Sequence, residues 1–387
     1  MRIVLMTTGT NNVPPITDPL TTLGHDVSTV VYDSLTPSDH DNLDKIVGKY
    51  NPDWVLYVGA LPGHHGKPVP NTQQLAKLGK NHLMVHLCFD GGEPLWWPVL
   101  QDYYDNAQFA LQVNIDGTRI GPIGDRGLTT LCPVNPENYF NPPWSERCIS
   151  MGFRGGTHGG RNEVIKPLAD KGYLTYSPRN VDEDHKPYAR FLSMCKIMLN
   201  VAVSGGPAGR LHVKARTLEA GAAGCLLLET KDTPLKNWFD AGTDYLEYAF
   251  HEGAIIQADW IIGNPKEAEA MARRFHKKVV ERHNPTVFWS QVMERLGFGK
   301  AKMPVRETPW EYWKLDNPKA SPPPPLSYEP VLLESVFKHN LVSYKGQIYV
   351  IPQDLGSLDI HQVKWQVHPR IKACASMDEA RAALAVV

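Results

Sequence analysis

The chain has 387 residues, 42% hydrophobic and 21% charged, with ten Trp, which excludes a disordered or fibrous protein and suits two or three folding units. A formal net charge of -1 gives no global attraction to a polyanion, so a DNA-coating role is disfavoured while a local basic groove stays open. No run of about 18 apolar residues occurs, so no membrane span is expected.

The opening "MRIVLMTTG" reads as a strand and a turn, without the apolar length or cleavage site of a leader. Six scattered Cys with no CxxC suit thiols in a reducing cytoplasm. Residues 1–145 alternate apolar runs ("RIVLMTT", "DVSTVVY", "DWVLYVG", "LMVHLCF", "FALQVNI") with amphipathic pieces ("DNLDKIVGKY", "NTQQLAKLGKN"). Strands buried on both faces and alternating with helices predict a parallel sheet.

"NPENYFNPPWSER" (135–147) breaks the pattern and reads as a linker. The alternation then restarts: "RCISMGF", a helix through "RNEVIKPLADKG", "YLTYS", a helix through "YARFLSMCK", "IMLNVAV", a helix through "KARTLEAGAA" and the strand "GCLLLET". Two long polar helices follow, "NPKEAEAMARRFHKKVVERH" and "TVFWSQVMERLG". The Pro-rich stretch 315–330 is a stiff linker, and 331–387, with a hairpin in "NLVSYKGQIYVIPQDLG" and a short helix at "SMDEARAALAV", is a small appended α+β module. The expected architecture is α/β: two Rossmann-like doubly wound domains, 1–145 and 146–314, facing a cleft, plus the appended module. Ligands of such sheets bind at the carboxyl ends of the strands, which places the site in the cleft.

In the second domain the strand "RCISMGF" runs into "RGGTHGGRNEVI", where Gly159 and Gly160 precede a helix starting near Arg161. Glycines allow close backbone approach, and a helix N-terminus attracts a phosphate. A second glycine turn, "SGGPAGR" (204–210), ends a neighbouring strand, and together the two form a floor for a pyrophosphate. On the helix of "KARTLEAGAAG", Arg216 and Glu219 lie at i and i+3. A carboxylate there can accept both hydroxyls of a ribose, with Lys214 or Arg216 reaching the diphosphate; a plain surface ion pair is the simpler use of the same spacing.

These residues carry a resemblance. The runs "FRGGTHGGRNEVIKPLADKGY", "MLNVAVS", "KARTLEAGAAGCLLLETKDTPLKNWFDAGTDYLEY" and "EAEAMARRFHKKVVERHNPTVFWSQVMERL" resemble the C-terminal half of the CgeB-like, spore maturation type glycosyltransferases, within the GT-B group that uses nucleotide sugars. The resemblance is good over about 150–300. It is looser over 1–145, where it rests on "HLCFDGGEPLWWPVL" and "NIDG". It implies that Glu219 binds the nucleotide ribose, that Arg161 lies in the donor's glycine turn, and that the loop "LETKDTP" closes over the donor, making Glu229, Thr230 and Lys231 contacts to sugar or phosphate. Many relatives carry a second Glu eight residues before the ribose one; here that position is Leu211.

The first domain is expected to supply the acceptor side. "GALPGHHGK" ends one strand with His64 and His65, and "HLCFDGGEPLWW" ends the next with Asp90, Glu93, Trp96 and Trp97. Asp90, His64 or His65 could deprotonate an acceptor hydroxyl, Glu93 could hold it, and Trp96 or Trp97 could stack on it. No HExxH or DxD spacing supports a metal, and no cofactor is expected beyond a nucleotide sugar as co-substrate. The function expected is transfer of a sugar, from a UDP-sugar first, to a hydroxyl of a glycan, a protein or a hydroxymethylated DNA base of phage type. The resemblance suggests retention, whereas Asp90 as base suits inversion. The alternatives are a non-catalytic nucleotide-sugar or glycan-binding protein of the same shape, and a two-domain sugar epimerase.

Overall fold

The structure is a computed structural model that describes residues 1–9, 13–59, 68–92, 96–118, 126–157, 160–178, 185–202 and 211–298, together with the backbone of four strands between 331 and 374. The first sheet has six strands: β1 (Arg2–Thr7), β2 (Asp26–Val31), β3 (Trp54–Val58), β4 (Met84–Cys88), β5 (Leu111–Asn114) and β6 (Gly127–Thr129). Their order is β2-β1-β3-β4-β5-β6, and every pair is parallel. Crossover helices α1 (Val13–Thr22), α2 (Pro37–His40), α3 (Leu43–Gly48), α4 (Thr72–Gly79) and α5 (Trp96–Asn106) connect them. The start of α4 is a capping box, in which Asn71 and Gln74 satisfy each other's backbone N–H.

The second sheet has five parallel strands: β7 (Ile149–Arg154), β8 (Thr175–Ser177), β9 (Cys195–Leu199), β10 (Leu226–Thr230) and β11 (Leu246–Tyr248), in the order β11-β10-β9-β7-β8. Its helices are α6 (Asn162–Asp170), α7 (His185–Met194), α8 (Ala215–Ala222), α9 (His251–Gly263) and α10 (Pro265–Arg282). One face packs under α7, α8 and the C-terminal part of α10, through Tyr188, Leu192, Leu218 and Phe275. The other face packs under α6, α9 and the N-terminal part of α10, through Ile165, Leu168, Ala254 and Met271. Both sheets are therefore doubly wound.

Helix α11 (Pro285–Arg295) follows the second sheet in the chain but buries Phe288, Trp289, Val292 and Met293 among Ile3, Trp54 and Leu56 of the first. The two polypeptide halves are tied at this point, with the Trp54 and Trp289 ring centroids 6.3 Å apart. The segment leading to β7 is tied down as well. Buried Arg147 donates to the Cys195 and Ala223 carbonyls at 2.7 and 2.6 Å and to Asn141 Oδ1 at 2.7 Å.

Several elements went unread in the sequence, β6, β11 and α9 among them. β6 and β11 have three residues each, too few for a pattern, and α9, "HEGAIIQADWIIG", has apolar residues on all sides and little periodic contrast. Cys88, Cys132, Cys148, Cys195 and Cys225 are free; Cys88, Cys195 and Cys225 are buried and Cys148 is exposed. The tail forms an antiparallel sheet, β12 (Val331–Val336), β13 (His339–Tyr344), β14 (Gln347–Pro352) and β15 (Lys372–Cys374). The expected hairpin is the β13–β14 pair; the Pro-rich stretch 315–330 and the expected C-terminal helix lie outside the described residues. Among the described residues no helix is long and apolar enough to cross a membrane.

Candidate functional site

In the second sheet the strand order turns back on either side of β7 and β9, and the carboxyl ends of such strands are where an open α/β sheet takes a ligand. At the end of β7 the chain passes through Gly155, whose φ is +152° and whose missing Cβ makes room for Nη2 of Arg216. A side chain there would displace the guanidinium. The Arg216 guanidinium lies 4.5 Å from the centroid of the Phe153 ring and donates through Nη1 to Asn200 Oδ1 at 3.3 Å. Its Nε is buried without a hydrogen-bond partner among the described residues.

Beneath Arg216 lies a closed polar network. Glu229, at the end of β10, is fully buried. It accepts from Asn200 Nδ2 at 2.8 and 2.9 Å, from Thr217 Oγ1 at 2.9 Å and from the Thr230 amide at 2.9 Å. Burial pushes its carboxyl up to about 7, against the pull of the Asn200, Thr217 and Thr230 donors. Tyr248 Oη donates to the Asn200 carbonyl at 2.7 Å, and Thr230 Oγ1 accepts from the Ala202 amide at 3.0 Å.

Arg161, at the start of α6, is 6% exposed and donates to the Gly156 carbonyl at 3.3 Å. Burial, followed by the neighbouring charge of Arg216, holds it below the ordinary guanidinium value. Two guanidinium groups raising each other's cost, at a strand end beside helix termini, make a site in which an anion gains on both counts. Lys214 is the residue that precedes α8, and its own side chain does not cap that helix. Its charge and that of Arg161 both act on His212, which they and above all burial lower to about 3.

His212 belongs to the wall where the two sheets meet. Its Nδ1 is 3.6 Å from Asp116 Oδ2, just past the end of β5. Asp116 also accepts from the amides of Gly92 at 2.6 Å and Thr118 at 2.9 Å, and its carbonyl takes the Val213 amide at 2.9 Å. A Cβ on Gly92 would come within 2.9 Å of both the His212 side chain and Thr118 Oγ1, so the "DGG" turn after β4 needs glycine to seat against the second half. Burial pushes the Asp116 carboxyl up, and its hydrogen bonds pull it back.

The residues singled out in the sequence fare differently. Arg161 and Arg216 lie close enough for the charge of one to act on the other, and Lys214, just before α8, acts with Arg161 on His212. Arg216 and Glu219 do not pair: Glu219 turns away and accepts from Tyr188 Oη at 2.8 Å, with Tyr139 beside it. Thr230 spends its hydroxyl inside the network, and Lys231, half-buried in the following loop, bonds the Tyr248 carbonyl through its amide at 2.7 Å. Gly160 is exposed with φ +79°. In the first half, Asp90 is exposed at the end of the β4 loop. Trp96 corrects the stacking expectation: it is 5% exposed and packs on Cys88, Leu100 and the His86 ring, a core position. Trp97 is half-buried, and its Nε1 donates to the Gly91 carbonyl at 3.2 Å. His64, His65, Glu93, Gly159 and the turn 204–210 lie outside the described residues.

Asn200, Thr217, Asp116 and His212 were missed. Asn200 and Thr217 sit in apolar strand and helix patterns, where a polar residue ringed by hydrophobic ones was the available signal. Asp116 stands in "NIDG" and His212 next to Leu211, but only their meeting at the junction of the two halves distinguishes them.

Residues 161–294 match the family model Glyco_trans_1_2, described as glycosyl transferase-like. In three dimensions the chain is similar to Anabaena Alr3699/HepE in complex with UDP (12% identity, TM-score 0.53, 77% of this chain and 100% of that one) and with UDP-glucose (11%, 0.54, 77% and 99%). It is likewise similar to sucrose-phosphate synthase from Thermosynechococcus elongatus (11%, 0.53, 77% and 99%). A third likeness is to an alpha-glucosyltransferase in complex with UDP-glucose and DNA containing an abasic site (12%, 0.50, 76% and 99%). The chain has the GT-B fold. No curated protein matches it in sequence. The segment matched by the family model includes α6 through β11 and carries Arg161, Lys214, Arg216 and Glu219.

Proposed function

We propose that the protein transfers a sugar from a nucleotide diphosphate sugar, UDP-linked in the first instance, to an acceptor hydroxyl in the cleft. The observation that carries this reading is the convergence of Arg161, Arg216 and Lys214 on the carboxyl edge of β7, β9 and β10. In the transfer the acceptor oxygen bonds to C1 of the sugar and gives its proton to a base on the acceptor side, while the C1–oxygen bond of the donor breaks and the diphosphate leaves with the bonding pair. Fixed cations in a partly dry site stabilise the charge that develops there. Glu219, held by Tyr188, is assigned to the ribose hydroxyls, Lys231 to the sugar or phosphate side, and Asp90 with His64, His65, Glu93 and Trp97 to the acceptor side. The CgeB-like subtype and a retaining outcome follow the resemblance of 150–300. The acceptor is a glycan, a protein or a hydroxymethylated base; the similar fold of an enzyme solved with DNA keeps the last in the set.

A non-catalytic sugar-nucleotide-binding protein is the second reading, favoured by Leu211 at the place where related sequences carry a carboxylate. Titration of UDP, GDP and ADP into the protein, followed by hydrolysis and transfer assays with the matching sugars, separates the two. Nucleotide binding weakened but still measurable in Arg216→Ala, with turnover of the donor in the wild type, supports transfer. Binding without any turnover supports the second reading, and no binding of any diphosphate removes both.

A further inference from the structure

Glu229 has no exposed surface and does not touch Arg216 directly; Asn200 stands between them. A carboxylate only accepts, whereas a side-chain amide has one donating and one accepting end. Both oxygens of Glu229 take the Asn200 Nδ2 group. That leaves the Asn200 Oδ1 end to face outward, where it receives Nη1 of Arg216. We propose that Glu229 is a positioning residue that sets the orientation of the Asn200 amide and, through it, the aim of the Arg216 guanidinium at the diphosphate; the proposal rests on the reading of Arg216 given above.

Three features support it. The network joins the ends of β9 and β10 to the first turn of α8 through Asn200, Glu229, Thr230 and Thr217, so it is anchored on three elements of the site. Among the described residues Arg216 is otherwise held only by contact, with its guanidinium on the Phe153 ring and Nη2 over Gly155, and neither contact fixes its rotation about the ring normal. A carboxylate in direct contact would also form a tight ion pair that competes with a phosphate. An intervening neutral amide orients the cation and leaves its charge available.

Glu229→Gln puts an N–H2 where an acceptor stood. Either it opposes Asn200 Nδ2, or Asn200 turns over and presents Nδ2 to Arg216. The test uses the full chain at pH 8, with UDP measured by calorimetry and uridine by ligand-observed NMR. The expected result is a loss of UDP affinity of about tenfold or more with uridine changed less than about twofold, since only the diphosphate meets Arg216. In the Arg216→Ala background the same change should have no further effect on UDP.

Unchanged UDP affinity in Glu229→Gln overturns the proposal, as does equal loss for UDP and uridine, or additivity with Arg216→Ala. Should Glu229→Gln fail to fold, Asn200→Leu removes the link and is expected to give the same diphosphate-selective loss; its absence overturns the proposal. A wild-type protein that binds no UDP is a different failure, since it removes the reading of Arg216 before any variant is made.

Discussion

The carboxylate of Asp116 and the ring of His212 stand 3.6 Å apart, with 2% and 1% of their side-chain surfaces exposed, and they belong to opposite halves of the molecule. Asp116 also holds the amides of Gly92 and Thr118. Asp116→Ala leaves both buried N–H groups without an acceptor, each at a cost of about 1–3 kcal/mol. Urea denaturation is expected to show a loss of about 2–5 kcal/mol, and a loss below about 0.5 kcal/mol contradicts this account of the junction.

Acid acts on a second buried His. His86 is fully buried among Tyr57, Tyr103, Phe109 and Trp96, and burial lowers it to about 3. Its folded value lies below the ordinary 6.5, so between 6.5 and 3 the unfolded chain binds the extra proton. The stability is present above 6.5 and is lost as pH falls through that window, at about 1.4 kcal/mol per unit. His86→Phe keeps an aromatic ring and removes the titration. Its stability is expected to fall less steeply than that of the wild type between pH 6.5 and 4; parallel curves would show that His86 does not titrate this way.

Glu229 has the opposite slope. Its folded value of about 7 exceeds the ordinary 4.5, so the native state holds the extra proton between these values. Its contribution is fully present below 4.5 and is lost as pH rises toward 7. Glu247 lies close enough to add to the upward shift. Relative to Glu229→Gln, the wild type should lose stability between pH 5 and 7 by about 1.4 kcal/mol per unit or less. Chemical denaturation of both proteins across that range is the measurement, and a difference that stays constant with pH refutes it.

Gly155 is the position where a single methyl group reaches the site. Its φ of +152° and the contact of a built Cβ with Arg216 Nη2 mean that Gly155→Ala strains the turn by about 1–3 kcal/mol and moves the guanidinium. The expected outcome is a folded protein with a lowered Tm and UDP affinity reduced about tenfold or more. Wild-type affinity in this variant would show that Arg216 has other room.

Much of this was legible along the chain because its physics is local. Continuous Val, Leu and Ile runs interrupted by amphipathic segments identify two parallel sheets. The glycines and cations of "FRGG", "GGR" and "KAR" mark the carboxyl edge of the second sheet, where the proposed site lies. What they cannot convey is direction. Arg216 and Glu219 share a helix flank by spacing, yet one turns onto Phe153 and Asn200 and the other onto Tyr188, because different neighbouring elements offer each a partner. Trp96 and Trp97 are adjacent in the sequence, and packing on His86 takes one into the core.

Short segments of chain encode the two doubly wound halves, the glycine turn after β7 and the basic residues around it, since periodicity, backbone permissiveness and charge are local properties. The tertiary structure decided that α11 returns to cover the first sheet, that Asp116 meets His212, and that Glu229 stands behind Asn200 and Arg216. Those pairings join residues 16 to more than 200 positions apart, where the free energy of burial and the need to satisfy buried polar groups select the partner and no local pattern records it.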